Sequence, residues 1–124
     1  METENKIDPR EIGVPNIQFS LAEDNEFAEK YRQQRIERGF DDTETWNLNT
    51  TFANFMLPRL KAFKEVGVPF SHPAILEEHE WGEIIDKIIH SLELYIDEDY
   101  EFESEKEIQE GIDLFAKYFF NLWW

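Results

Sequence analysis

Glu77-Glu78-His79-Glu80-Trp81-Gly82-Glu83-Ile84-Ile85-Asp86-Lys87-Ile88-Ile89-His90-Ser91-Leu92-Glu93-Leu94-Tyr95-Ile96 is the stretch that decides the fold. Trp81, Ile84, Ile85, Ile88, Ile89, Leu92 and Tyr95 or Ile96 recur at spacings of three and four, which places them on one broad helical face. Glu77, Glu78 and Glu80 suit the positive N-terminal end of such a helix. A face this wide has to be buried against other elements. Downstream lies an acidic connector, Asp97 to Glu103. A further helix then starts near Ser104, with Glu107 as its capping-box partner. It carries Ile108, Ile112, Phe115, Phe119, Leu122 and Trp123 on one side, while Leu114, Tyr118, Phe120 and Trp124 fall off that stripe. Its last turns are thus apolar nearly all round. The side of Phe115, Phe119 and Trp123 is expected in the core. The opposite side, Phe120 and Trp124, is expected to make a homodimer contact.

Upstream, Thr50 or Thr51 offers a cap for a helix whose apolar residues are Phe52, Phe55, Met56, Leu60 and Phe63. Pro58 inside it lacks a backbone donor and crowds the Asn54 carbonyl, so a kink or a helix start is expected there. Gly67-Val68-Pro69 ends this helix. Before it, Asp41 to Thr45 is turn and cap chemistry. Ser20 with Glu23 reads as a capping box for a helix that carries Phe27, Tyr31 and Ile36 and stops at Gly39. Residues 1–19, with Pro9, Gly13 and Pro15, read as an extended arm pinned at Ile12, Ile17 and Phe19. No stretch alternates as a strand does, and no repeat is present. The expected fold is therefore all-α: one helical domain over 20–124, a small bundle of three to four helices, with the arm over 1–19.

The 124 residues include 11 Phe, 4 Trp and 4 Tyr, no Cys, and 28 acidic against 12 basic side chains, a net charge of −16. The aromatic content argues for a packed core rather than disorder. Without cysteine there is no disulfide, no thiol catalysis and no Cys-containing zinc site. No apolar run is long enough to span a membrane, and Met1 to Gly13 has no signal-peptide h-region. The charge disfavours direct contact with nucleic acid or anionic membranes. A soluble, intracellular protein is the expectation.

Four runs carry a resemblance. They are Asp42-Thr43-Glu44-Thr45-Trp46-Asn47-Leu48, Phe55-Met56-Leu57-Pro58-Arg59-Leu60-Lys61-Ala62-Phe63, Glu80 through Ile89, and Glu110-Gly111-Ile112-Asp113-Leu114-Phe115-Ala116-Lys117-Tyr118-Phe119. In this order they resemble the motifs D-x-W-x-L, F-x-L-P-R-L-K-x-F, E-W-x-x-I-L-D-K-M and E-G-x-x-L-F-x-K-Y-F. Those belong to a widespread family of small uncharacterised tailed-bacteriophage proteins. The resemblance covers roughly residues 40–124, with Ile88 where the family often has Met. It implies a phage protein acting in the host bacterial cytoplasm, and it implies no activity.

Charge is distributed unevenly. Residues 77–113 hold 15 acidic and 2 basic side chains, a net of −13, whereas 30–64 hold 7 basic and 4 acidic, a net of +3. Glu93, Asp97, Glu98, Asp99, Glu101 and Glu103 form a protein-binding acidic face on the functional reading, suited to a basic host protein and able to imitate a nucleic-acid backbone. The plainer reading is a solvated face that keeps an aromatic-rich domain soluble. Trp46, Arg59, Lys61 and Lys64 form the alternative site, a pocket for an anionic nucleotide-type small molecule with the indole stacked on a base. The plainer reading there is cations paired with surplus carboxylates.

A third reading is catalytic. Glu80-x-x-Glu83 and Glu110-x-x-Asp113 match the carboxylate spacing of all-α, Mg²⁺-dependent nucleotide pyrophosphohydrolases. In an antiparallel hairpin turning near Tyr100, however, Glu110 lies opposite about His90. Glu83 is then offset by on the order of 10 Å, too far to share one ion. His72, His79 and His90 make no zinc site, and no P-loop, serine-hydrolase or zincin signature occurs. The expectation is a non-catalytic accessory protein without cofactor or metal that binds and sequesters a host component.

Overall fold

A computed structural model describes residues 6–124. Its regular elements among these residues are all helical: α1 (Pro9–Ile12), α2 (Ala28–Arg38), α3 (Leu48–Ala62), α4 (Glu78–Ile96) and α5 (Glu105–Lys117). Short 3-10 turns lie at Asp42–Thr45, Phe102–Ser104 and Phe119–Asn121, and a π-helical turn at Phe63–Gly67. Four of the helices are long, as expected, and α1 is an added single turn. Contacts gather into two compact units, Met1–Phe55 and Met56–Trp124, with the division falling inside α3.

The first unit is organised around a buried cation. Arg35 of α2 donates from Nε and Nη2 to the two oxygens of Asp8, at 2.8 and 3.0 Å, and from Nη1 to Asp41 Oδ2 at 2.6 Å. All three side chains are buried. Asp8 also accepts from the Arg10 backbone N–H, which starts α1 with Pro9 in its first turn. Asp41 caps the turn Asp42–Thr45 by accepting from the Thr43 N–H, and Glu44 closes the box by accepting from the Asp41 N–H. The other Glu44 oxygen accepts from the Phe19 N–H, and Thr43 Oγ1 from the Leu21 N–H. Burial raises the carboxyls of Asp8 and Asp41. Hydrogen bonds outweigh it and hold both below the ordinary carboxylate value: chiefly Arg35 at Asp8, and Ser20, Thr43 and Arg35 at Asp41.

Two expectations are corrected here. The helix expected from Leu21 begins at Ala28, because the Ser20 hydroxyl donates to Asp41 Oδ2 and accepts from the Ala22 N–H instead of capping a helix. Residues 9–12 of the arm are helical and Ile12 and Ile17 are exposed, whereas Phe19 is half-buried; Asp8 on Arg35 and the Phe19 N–H on Glu44 anchor the arm. Residues 1–5 of the arm lie outside the described residues. Gly39 does stop α2, in the left-handed conformation at φ 87° with its N–H bonded to the Arg35 carbonyl.

The second unit has an apolar core. Trp81, Ile85, Ile88, Ile89 and Leu92 of α4 are buried, along with Leu57 and Leu60 of α3 and Val68. Each such side chain contributes about 1.5–3 kcal/mol on removal from water. The Trp81 ring meets Phe63 edge-on, centroids 6.2 Å apart, and Tyr118 at 5.5 Å. Its buried Nε1–H has no acceptor among the described residues. At the start of α4 the Glu77 N–H donates to Glu80 Oε1 at 2.9 Å. Helices α4 and α5 form an antiparallel hairpin whose closest approach is at Gly111. A Cβ there would overlap the Ser91 side chain and come 2.9 Å from the Lys87 carbonyl oxygen. Buried Ser91 satisfies its hydroxyl on the Ile88 carbonyl of its own helix.

Helix α3 starts at Leu48, earlier than a Thr50 or Thr51 cap implies, and Thr51 instead donates to the Glu44 carbonyl. Pro58 lies within this helix and does not begin it; the irregularity comes further on, in the π-helical turn Phe63–Gly67. The expected last helix is shorter. It ends at Lys117, and Tyr118 to Trp124 leave it through a 3-10 turn. The phase that placed Phe119 and Trp123 in the core is therefore lost, and both are exposed, with Phe115 half-buried.

Candidate functional site: the turn of the α4–α5 hairpin

The connector between α4 and α5 reads Asp97-Glu98-Asp99-Tyr100-Glu101-Phe102-Glu103, five carboxylates and two aromatic rings in seven residues. Its conformation is set by backbone and short side-chain bonds. The Asp99 N–H donates to Asp97 Oδ1, the Tyr100 N–H to the Asp97 carbonyl, and the Ser104 N–H to the Glu101 carbonyl. Ser104 stands at the N-cap of α5 without a side-chain bond. All five carboxylates are exposed, and none of them makes an ion pair among the described residues. Five like charges on so short a segment repel one another, an unfavourable arrangement that a cationic surface would relieve.

An apolar element stands in the middle of this charge. Phe102 is 80% exposed. Beside it, Tyr95 and Tyr100 approach with ring centroids 6.4 Å apart. A hollow of about 390 Å³ is lined by Tyr95, Tyr100 and Ile108, with Glu105, Lys106 and Gln109 at its margin. The tyrosine rings suit the alkyl stem of a lysine or arginine and Glu105 its charged head, at a margin that also holds Lys106. Sequence reading picked out the acids and passed over Phe102 and this hollow. The signal was the alternation of Tyr100 and Phe102 with acids, in a connector where solubility alone asks for no large apolar side chain.

The other sequence-designated residues separate. Glu93 pairs with Lys61 at 3.4 Å, with both side chains about half exposed. Lys64 pairs with Asp86 at 2.6 Å. Two of the three cations assigned to an anionic ligand are thus held by carboxylates of α4. Arg59 is exposed on α3. Trp46 belongs to the first unit, exposed, with its ring edge-on to Tyr31 at 6.2 Å. Phe120 and Trp124 are both exposed in the tail.

The hairpin register sets the remaining acids. His90 Nε2 lies 2.9 Å from Glu107, and Lys87 Nζ 3.4 Å from Glu110. These pairs, with Asp86 and Gly111, line a groove of about 440 Å³. Lys87, and not His90 as expected, is therefore the α4 residue opposite Glu110, and Glu83 stands one turn further along, about 6 Å rather than 10 Å. Among the described residues no group of three or more His, Asp or Glu side chains is placed to hold a metal ion. No helix among them is long and apolar enough to cross a membrane. No family model, curated protein or solved structure matches the chain.

Proposed function

We propose that this chain is a non-catalytic binding protein that engages a basic protein surface through the turn between α4 and α5. The observation that carries this reading is the exposed segment Asp97–Glu103, in which five carboxylates without an ion pair among the described residues flank the exposed ring of Phe102. Carboxylates of this kind steer an oppositely charged partner and fix its orientation. An exposed aromatic at their centre supplies the apolar anchor on which most interface energy depends. Asp97, Glu98, Asp99, Glu101 and Glu103 act as the charge, Phe102 as the anchor, and the Tyr95–Tyr100 hollow as the seat for a partner's basic side chain.

The resemblance to small tailed-phage proteins gives this reading its setting. The partner is then a host protein in the bacterial cytoplasm whose basic surface ordinarily meets a nucleic-acid backbone, and the phage chain sequesters it. The test is affinity capture from a host lysate with the wild-type chain, Phe102→Ala and the triple reversal Asp97→Lys, Asp99→Lys, Glu101→Lys. A stoichiometric basic protein released by salt, lost with the reversal and weakened at least tenfold by Phe102→Ala, is the expected result. Equal capture by wild type and reversal would overturn it. So would a retained mass of several hundred daltons in native mass spectrometry, which belongs to a small-molecule binder.

A further inference from the structure

The opposite end of the same hairpin carries a second, chemically different surface. The N-terminal turn of α4 reaches this end through Trp81, which packs on Tyr118. The π-helical turn reaches it through Gly67, and the tail is seated there. A Cβ at Gly67 would lie 2.6 Å from Trp124 Cδ1, so the absence of a side chain makes the place for that indole. Phe70 closes on Trp124 with centroids 5.5 Å apart. The tail backbone is itself bonded, the Asn121 N–H to the Tyr118 carbonyl and the Trp123 N–H to the Asn121 carbonyl. On this seated frame the rings stand out: Phe120 is 87% exposed, Phe70 74%, Trp123 65% and Trp124 55%. Phe70 lies against Trp124 and Phe120 against Phe119, and exposed aromatic rings carried on a hydrogen-bonded backbone mark a contact site.

Charge decides what it contacts. The two segments that build this end, 65–83 and 118–124, contain Glu65, Glu77, Glu78, Glu80 and Glu83 and no lysine or arginine. Nearby Lys64 is tied to Asp86, and Lys117 already stands 5.4 Å over the Tyr118 ring, a cation held against this aromatic surface by the chain itself. A second copy would bring its own five carboxylates against these, on a chain of net charge −16. We propose that the aromatic end of the hairpin docks a cationic, amphipathic segment of a protein partner, with apolar residues seated among Phe120, Trp123 and Trp124 and basic residues answered by the glutamates around them. This surface is separate from the hairpin turn, and the inference stands whether or not the turn binds a basic protein.

The test uses the full chain and two 14-residue probes, one of leucine and lysine in amphipathic order and one of serine and lysine with the same charge. Calorimetry should show the leucine peptide binding at least tenfold more tightly. The preference should survive the Asp97→Lys, Asp99→Lys, Glu101→Lys reversal and vanish in the double variant Phe120→Ala, Trp123→Ala. If the double variant loses helix, Phe120→Ala alone, at the most exposed ring, should reduce the preference at least threefold. Equal affinity for the two peptides overturns the proposal, as does a preference that the tail variants leave unchanged. Concentration-dependent dimerisation abolished by the double variant would assign the surface to a second copy, and adsorption to neutral phosphatidylcholine vesicles would assign it to lipid; either result overturns the proposal.

Discussion

The first unit buries polar groups where the second buries hydrocarbon. Around Arg35 the buried side chains are Asp8, Asp41, Thr43 and Glu44, and the buried apolar residues of this unit's described part are the small Ala22 and Ala53. Around Trp81 they are isoleucine, leucine and valine, with Ser91 the polar exception. The two kinds of core fail differently. A hydrophobic core loses stability gradually as contacts are trimmed, in proportion to the volume lost. A buried ion network does not, because deleting one member leaves the others charged and dry. The contrast extends to carboxylates. Those of Asp8 and Asp41 are committed within the fold, whereas those of Asp97 to Glu103 are exposed and make no ion pair among the described residues.

Removing the central cation should have the largest effect. Arg35→Ala strands two buried carboxylates and is expected to cost about 3–5 kcal/mol, read as lost amide protection across Ala28–Arg38. Acid should reach the same network without mutation. Asp8 and Asp41 are held below their ordinary value of 3.8, so their contribution is complete above that value. It declines as pH falls below 3.8 and is gone once the folded carboxyls take up protons. Protection across α2 should fall in that window, and an unchanged α2 at pH 2 would break the comparison. In the apolar core, Ile88→Ala should cost about 2–5 kcal/mol in urea unfolding and should show no such pH dependence.

Smaller effects sharpen the contrast within the second unit. Gly111→Ala forces a methyl into the Ser91 side chain and is expected to cost about 1–3 kcal/mol. Ser91→Gly in the same chain should restore part of it, since it removes both overlapping atoms, and a strictly additive double variant would count against the close approach. Smallest of all, reversing Asp97, Asp99 and Glu101 to lysine should leave thermal unfolding within about 0.5 kcal/mol of wild type. A larger loss would assign these charges to the fold and end the contrast with Asp8 and Asp41.

Legibility followed the same division. The face of α4 could be read because hydrophobic periodicity is local, and Trp81, Ile85, Ile88, Ile89 and Leu92 are all buried. The hairpin itself was legible, but its register only to within a turn: a turn centred on Tyr100 sets Glu110 opposite His90, whereas the chain turns about one and a half residues earlier and sets Glu110 against Lys87. Arg35 was not legible. Its partners Asp8 and Ser20 lie 27 and 15 residues away, and a charged residue on a helix is expected in water. Ser20 and Glu23 have the spacing of a cap, but Asp41 and the Ala22 backbone take the hydroxyl first. The tail misled for a related reason. Helical phase was carried past Lys117, where the chain leaves α5 to seat Trp124 on Gly67. Of the candidate site, the acids of the turn were found by counting charge. Phe102 and the Tyr95–Tyr100 hollow depend on exposure, which counting does not supply.

The π-helical turn Phe63–Gly67 closes with the Val68 N–H on the Phe63 carbonyl at 3.0 Å, five residues back. Relative to an α-helix it holds one residue more than the turn requires. Deleting one residue from 64 to 66 would turn that bond into an ordinary α-helical one on the same carbonyl, so everything beyond would keep its phase. Val68 would stay in the core and Gly67 under Trp124. The segment is therefore a place where the chain can lose one residue and keep the same second unit, whereas one residue lost from the middle of α4 would turn the following half of its apolar face by about 100°.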